Sequence, residues 1–224
     1  MSDVSTNPEI GVLLSYAPAE QRDAFGTALA LDRMLAEVLR STSEPVLGQI
    51  RLRWWYDALL ALEDAPAPAV PLLADFERTF AGSAVRPAAL APMVDGWSLL
   101  IEEEAFDTAK LEEQGRLRGG TLFEVAGQLF GATASDPLIA AGTGWALADL
   151  ARHVRDPALA QSAAERARVL LDQALSVRWS GRVRALGAAA HLARLDLAVP
   201  LDVPPPIGAP HRVARLLWHR LSGR

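Results

Sequence analysis

The chain has 224 residues, half of them hydrophobic, which is enough for one large domain with a substantial core. A net charge of −5 without a long basic block argues against general nucleic-acid binding. The lack of cysteine excludes disulfides, thiolate metal ligands and a cysteine nucleophile. We find no pattern of a secretory signal or of a membrane-spanning segment, so we expect a cytoplasmic protein.

The composition favours helices throughout. Alanine and leucine dominate, whereas aromatic and β-branched residues are few, and unbranched side chains lose little freedom in a helix. The pattern predicts helices over residues 18–40, 45–64, 72–80, 87–104, 111–130, 137–154, 157–175 and 183–195. Gly119 and Gly120 are expected to bend or interrupt the fifth of these. We therefore predict one all-α domain over residues 1–196.

The first long helix contains a charged residue on its apolar side. Phe25, Leu29 and Leu35 share one arc of the helix, and Asp32 falls inside it. A buried carboxylate needs a partner. Arg51 lies in the same way within the apolar stripe of the next helix. This pattern predicts an ion pair between Asp32 and Arg51, serving as a structural tie between the two helices or as a remnant of a ligand cavity.

The second long helix is apolar on more than one side. Leu47, Ile50 and Trp54 share one stripe, which Trp55 and Leu59 widen. A helix that is apolar around most of its circumference is normally buried. We therefore predict burial over much of this helix.

The C-terminal end is predicted to be a separate functional element. A proline-rich linker over residues 197–210 precedes a basic amphipathic helix over residues 211–224. A short helix with a basic face and a tryptophan suits a membrane interface or a groove on a protein partner. The candidate binding residues are Arg212, Arg215, Leu217 and Trp218. Packing of this helix back onto its own domain is the alternative.

Several segments resemble one known family, in the right order along the chain. Three segments resemble helices of the squalene/phytoene synthase family: the helix around ALALDRMLAEVLR, the segment SEPVLGQIRLRWWYDAL at residues 43–59, and the later GWALADLARHVRD. The overall similarity runs from about residue 24 to residue 195. The resemblance implies an isoprenoid-synthase-type helical bundle. It also implies a reaction that joins two prenyl diphosphates head to head, with magnesium ions held by aspartates on two facing helices.

The chain departs from the first aspartate motif of this family. Where the family has Asp-Asp-x-x-Asp, this sequence has Ala36, Glu37 and, at the last position, Arg40. Only Glu37 could bind a cation, and Arg40 reverses the charge. The first motif therefore predicts loss of magnesium binding.

The second motif is also altered. Asp149 and His153 stand at two of its metal-binding positions, and Pro157 stands at the third. Asp156 leaves one acid beside that third position, and Arg152 matches a basic residue of the motif. Asp149 and His153, four residues apart on a helix, could bind a metal or act as a base with its orienting partner. A helix-surface hydrogen bond explains the pair equally well.

These departures predict a catalytically degenerate member that acts by binding, as an assembly factor, a scaffold or an isoprenoid-lipid binder, without a cofactor. The sequence is similar to a branch of the family that lacks the aspartate motifs and includes a mitochondrial protein assisting assembly of respiratory complex I. The alternative is an active magnesium-dependent prenyltransferase, with Glu37, Asp149, His153 and Asp156 in a rearranged site. We expect the C-terminal helix to contact a protein partner or a membrane surface, so that the protein is peripheral to the membrane in the second case. We expect no nucleic-acid partner.

Overall fold

Helices form all the regular secondary structure of the described residues, which are 7–42, 44–102 and 106–224 of this computed structural model. Two features named from the sequence fall outside this range: Ser43, the first residue of the family-like segment 43–59, and the predicted helix end at Glu104. The α-helices are α1 (Pro8–Tyr16), α2 (Arg22–Arg40), α3 (Pro45–Ala61), α4 (Pro71–Thr79), α5 (Ala91–Glu102), α6 (Thr108–Gly115), α7 (Thr121–Phe130), α8 (Leu138–His153), α9 (Pro157–Leu175), α10 (Arg184–Asp196) and α11 (Pro210–Ser222). The predicted all-α fold is confirmed.

Local sequence signals account for many of the helix ends. A proline occupies the first turn of α1, α3, α4, α5, α9 and α11, where its missing N–H is not needed by the helix. The side chains of Asn7, Asp107 and Asp156 accept hydrogen bonds from backbone N–H groups in the first turns of α1, α6 and α9. Gly131 and Gly223, both with positive φ, end α7 and α11.

Helix α8 lies at the centre of the bundle and packs against α6, α7, α9 and α10. Most of its buried residues are alanine or glycine, which lets the neighbouring helices approach closely. Gly142 meets Gly119 at such an approach: an added Cβ at Gly142 would lie 2.1 Å from the carbonyl oxygen of Gly119, and one at Gly119 would lie 2.0 Å from that of Gly142. The crossing therefore requires glycine at both positions.

A π-helical segment, Arg116–Gly120, joins α6 to α7 without a break in the helical backbone. The expected disturbance at Gly119 and Gly120 is thus a local widening of the helix and not a break. An extra residue per turn rotates the side chains that follow it, and such segments are frequent at functional sites. Here the segment places Arg118 inside the bundle, with 2% of its surface exposed.

Helix α3 is buried on one side only, so the prediction of burial around most of it is wrong. Leu52, Trp55 and Leu59 face the core, where α3 packs against α5 and α2. The stripe that was expected to be buried is exposed, with Ile50 at 59% and Trp54 at 44%. An apolar pattern on both sides does not show which side the fold covers. Within the described residues, no helix has both the length and the apolar character needed to cross a bilayer.

Candidate ligand-binding cavity

A large cavity opens between α2, α8, α10 and the linker that precedes α11. Its volume is about 1730 Å³, larger than the roughly 300–1,000 Å³ of ordinary small-molecule pockets. Much of its wall is apolar, and the apolar lining includes Leu14, Phe25, Leu29, Phe123, Trp145, Ala148 and Leu192. Charged residues of both signs line it as well, and Asp32, Arg118 and Asp149 form one group among them.

Arg118 joins two carboxylates that come from facing helices. Its Nε and Nη2 donate to the two carboxylate oxygens of Asp32 on α2, at 2.7 and 2.9 Å. The same Nη2 lies 2.8 Å from Oδ2 of Asp149 on α8. Trp97 Nε1 also donates to Asp32, at 3.1 Å. One guanidinium therefore bridges α2 and α8 through charge-assisted hydrogen bonds.

Two tryptophans surround this guanidinium. Its central carbon lies 4.1 Å from the ring centre of Trp97 and 5.2 Å from that of Trp145, both within the range of cation–π attraction. The Nη1 atom has no hydrogen-bond acceptor among the described residues, and it is enclosed beside these rings. Burial disfavours the charge of Arg118, but Asp32 and Asp149 outweigh it and raise the pKa of Arg118 above its ordinary value.

Asp149 connects the buried ion pair to the cavity mouth. Its side chain keeps 36% of its surface exposed, and its Oδ1 lies 3.2 Å from His153 Nδ1. Burial favours the neutral acid, but Arg118 first and His153 second hold the pKa of Asp149 well below its usual range. The hydrogen bond and charge of Asp149 in turn raise the pKa of His153. The expected pairing of Asp149 and His153 is present, with the histidine 67% exposed.

The remaining altered motif positions do not converge on a metal site. Glu37 pairs with Arg40 on the surface of α2, where Arg40 Nη2 donates to Glu37 at 2.9 Å. Ala36 offers no ligand, and Asp156 caps α9 through the N–H of Ala158 at 2.9 Å. Each of these acids already has a structural partner.

The fold family implies magnesium, and the donor set present does not suit it. Magnesium prefers several oxygen ligands arranged around one point. Among the residues that the structure describes, no three acidic or histidine side chains are grouped so that they could hold an ion. The carboxylates of Asp32 and Asp149 converge instead on Arg118. A guanidinium of the chain itself lies between these two carboxylates.

Arg152 serves a different structural purpose. Its guanidinium donates to the backbone carbonyl oxygen of Asp196 at the end of α10, at 3.2 Å. It also donates to those of Pro200, at 3.4 Å, and Val203 in the linker that precedes α11. Linker residues 201–205 line the cavity. Arg152 thus holds the linker as one wall of the chamber.

The predicted ion pair of Asp32 with Arg51 is wrong, although Asp32 is buried as expected, with 6% of its surface exposed. Arg51 is exposed and donates to the hydroxyls of Ser41, at 3.1 Å, and Thr42, at 2.7 Å. The partner of Asp32 comes from the π-helical segment, 86 residues later. Sequence reasoning missed Arg118 even though, at about 100° per residue, it lies on the same side of the predicted helix 111–130 as Leu111 and Leu122.

The prediction that Arg212 binds a membrane or a partner is also wrong. Arg212 is 2% exposed; its Nε and Nη2 each donate to Glu9 on α1 at 2.7 Å, and its Nη1 donates to Asp196 at 2.7 Å. Arg215 packs against His191 of α10, its Nη2 lying 3.1 Å from a ring nitrogen. The polar side of α11 therefore faces α10, while Leu217 and Trp218 face outwards. The helix follows the alternative of packing back onto its own domain.

The helical bundle, with charged side chains meeting at one end of an apolar chamber, is of the isoprenoid-synthase type. A sequence model of the squalene/phytoene synthase family matches residues 10–174. The chain belongs to this family. The fold is also similar to a crystal structure of a dehydrosqualene synthase in complex with ligand, with a TM-score of 0.74, 16% sequence identity and coverage of 97% of this chain and 92% of the other. No curated protein matches the sequence significantly.

Proposed function

We propose that this protein binds an isoprenoid-type lipid in the cavity, without magnesium and without transferring a prenyl group. The observation that carries the proposal is the placement of Arg118, whose guanidinium binds the carboxylates of Asp32 and Asp149 across the chamber end. Those carboxylates are engaged with a cation of the chain itself, so they are not free to recruit metal ions. This arrangement supports a binding role and a degenerate reaction centre.

The shape and lining of the chamber support a long apolar ligand. A volume of about 1730 Å³ accommodates more than a typical small molecule. Phe25, Phe123 and Leu192 supply apolar wall, whose contact with a hydrocarbon chain removes apolar surface from water. The favourable free energy of binding would come mainly from this burial.

The charge at the chamber end favours a head group that is not a polyanion. Arg118 contributes one positive charge and Asp32 and Asp149 contribute two negative charges, and a protonated His153 brings the sum to zero. A diphosphate placed at this cluster, away from the other arginines that line the cavity, would approach two carboxylates without a metal to screen them. A hydroxyl or carbonyl head, as in a prenol or a quinone, meets no such repulsion and can hydrogen-bond at the exposed edge of Asp149 or His153.

Titration calorimetry with geranylgeraniol and with a non-hydrolysable geranylgeranyl diphosphate analogue, each with magnesium and with chelator, tests this function. We expect the alcohol to bind equally in both conditions and the analogue to bind more weakly. Magnesium-dependent binding of the analogue, or formation of a prenyl-transfer product, would contradict the proposal and favour the active prenyltransferase. Binding of neither ligand would contradict it and favour a scaffold or assembly role.

A blocking variant ties binding to the chamber. Ala30 lines the cavity, so Ala30→Trp should fill part of it and weaken binding of the alcohol by about tenfold or more. Ala158 is exposed at the start of α9, and Ala158→Trp provides the same chemical change away from the cavity. The control variant should bind as the unmodified protein does, and equal losses in both variants would place the ligand elsewhere.

A further inference from the structure

Helix α11 presents a continuous apolar arc to solvent. At about 100° per residue, five apolar residues lie within roughly 140° of the helix circumference. All are exposed, with Leu217 at 54%, Trp218 at 58% and Leu221 at 80%. The five residues, called here the α11 arc, are Val213, Ala214, Leu217, Trp218 and Leu221. Contiguous apolar surface of this kind marks an interaction site more often than isolated exposed residues do.

Positive charge surrounds the α11 arc, although the whole chain carries a net charge of −5. Residues 203–224 contain neither aspartate nor glutamate. Arg178 donates to the carbonyl oxygen of Ser222 at 3.0 Å, Arg184 donates to that of His219 at 2.7 Å, and Arg220 lies over the ring of Tyr16. These contacts are with neutral groups, so they leave the arginine charges in place.

The arginines at this end are close enough to affect one another. Burial first, and then the charges of Arg178 and Arg220, lower the pKa of Arg184. Arg178, Arg220 and Arg224 are exposed and can reach a partner beside the α11 arc. This local reversal of charge points to an anionic partner.

The α11 arc is connected to the cavity wall. The linker held by Arg152 leads directly into α11, and its residues 201–205 line the chamber. Two of the linker side chains are also largely exposed and apolar, Val203 at 45% and Ile207 at 48%. Apolar surface therefore runs along the chain from the chamber wall to the exposed helix.

We propose that the α11 arc docks on an anionic lipid bilayer, with Trp218 at the interface and the exposed arginines on lipid head groups. A tryptophan, leucines and arginines on one short helix match the requirements of an interfacial helix. A second copy of the same face would bring arginines against arginines, which argues against a self-association surface. Given the proposed lipid-binding function, docking also places the linker side of the cavity at the membrane, where a lipid ligand would enter.

Vesicle co-sedimentation tests the docking proposal. We expect binding to phosphatidylcholine vesicles that contain phosphatidylglycerol to exceed binding to pure phosphatidylcholine by about tenfold or more, and to weaken at high salt. The variant Leu217→Ser, Trp218→Ser, Leu221→Ser should lose binding by about tenfold or more. These three side chains are exposed, so the folded state should persist, which circular dichroism verifies.

A matched control uses the exposed stripe of α3. The variant Val46→Ser, Ile50→Ser, Trp54→Ser also removes two aliphatic side chains and one tryptophan, at 64%, 59% and 44% exposure. It should bind vesicles as the unmodified protein does. Equal losses in both variants, or no vesicle binding by the unmodified protein, would overturn the proposal. So would a dimer, detected by light scattering, that the α11 variant converts to a monomer.

The two proposals fail separately. The three substituted residues of α11 are not among the residues that line the cavity, so this variant should still bind geranylgeraniol in solution. Loss of vesicle binding with intact alcohol binding supports docking through the α11 arc. Vesicle binding by a protein that takes up no alcohol would support the docking surface and contradict the cavity function.

Discussion

Replacing Arg118 by methionine should strongly destabilise the fold. The change keeps an unbranched side chain but removes the charge that compensates Asp32, which is 6% exposed, and Asp149, whose side chain is 36% exposed. Leaving a buried charge without its partner costs about 3–5 kcal/mol. Because Asp149 keeps contact with water, we assign most of the cost to Asp32 and expect a loss of about 3–4 kcal/mol. For a chain of this size that corresponds to a fall in Tm of about 6–16 °C.

Urea unfolding at pH 7, followed by far-UV circular dichroism, gives the free energy of unfolding. The double variant Asp32→Asn, Arg118→Met removes the stranded carboxylate as well. It should be more stable than Arg118→Met alone, because the two changes affect one interaction and do not add. A loss below about 1 kcal/mol in Arg118→Met would refute the reasoning. Equality between the loss in the double variant and the sum of the two single losses would refute it as well.

The other two predictions concern pH and close packing. Burial lowers the pKa of His191 to about 3 and of His219 to about 4. The unfolded chain therefore binds protons below about pH 6.5 that the folded protein excludes. The free energy of unfolding should fall as the pH drops, by up to about 2 kcal/mol per histidine at pH 5. Urea unfolding at pH 7 and at pH 5 measures this loss, and His219→Gln should remove about half of it. Gly119→Ala should cost about 3 kcal/mol of stability or prevent folding, because the added Cβ would lie 2.0 Å from the carbonyl oxygen of Gly142. Gly26→Ala is the control: its added Cβ would have its nearest neighbouring atom at 3.8 Å, so the change should be neutral or slightly stabilising.

A flat stability profile between pH 7 and pH 5 would contradict the assignment of neutral, buried histidines. For the glycines, equal melting temperatures of the two alanine variants would show that the bundle can widen at the crossing of α8 with the π-helical segment.

The sequence was sufficient for the helical class and for the family, but it did not give the organisation of the charged site. Asp32 could be identified because a carboxylate in an apolar arc demands a partner. The identity of that partner could not, since Arg118 is distant in sequence and a helical pattern does not show which buried charges of two helices meet. Gly119 and Gly120 signalled the disturbance of the helix, but not which charged side chains meet beside it.

Helix α11 illustrates a second limit of sequence reasoning. A helical wheel separates its apolar residues from its basic ones, and we expected the basic face to be free. The fold turns that face inward because Glu9 on α1, 203 residues away, and Asp196 at the end of α10 satisfy Arg212. A wheel shows which residues share a face, while the partners brought by other helices decide which face is covered.

The guanidinium bridge between α2 and α8 also changes how the bundle depends on its surroundings. A metal ion that joins two helices can be removed by a chelator, can vary with the ion supply of the cell and can leave together with a product. Arg118 is part of the polypeptide, and with two carboxylates at 2.7–2.9 Å it remains in place whenever the protein is folded. The connection between the two helices is therefore made by folding itself, and it needs no ion from outside the chain.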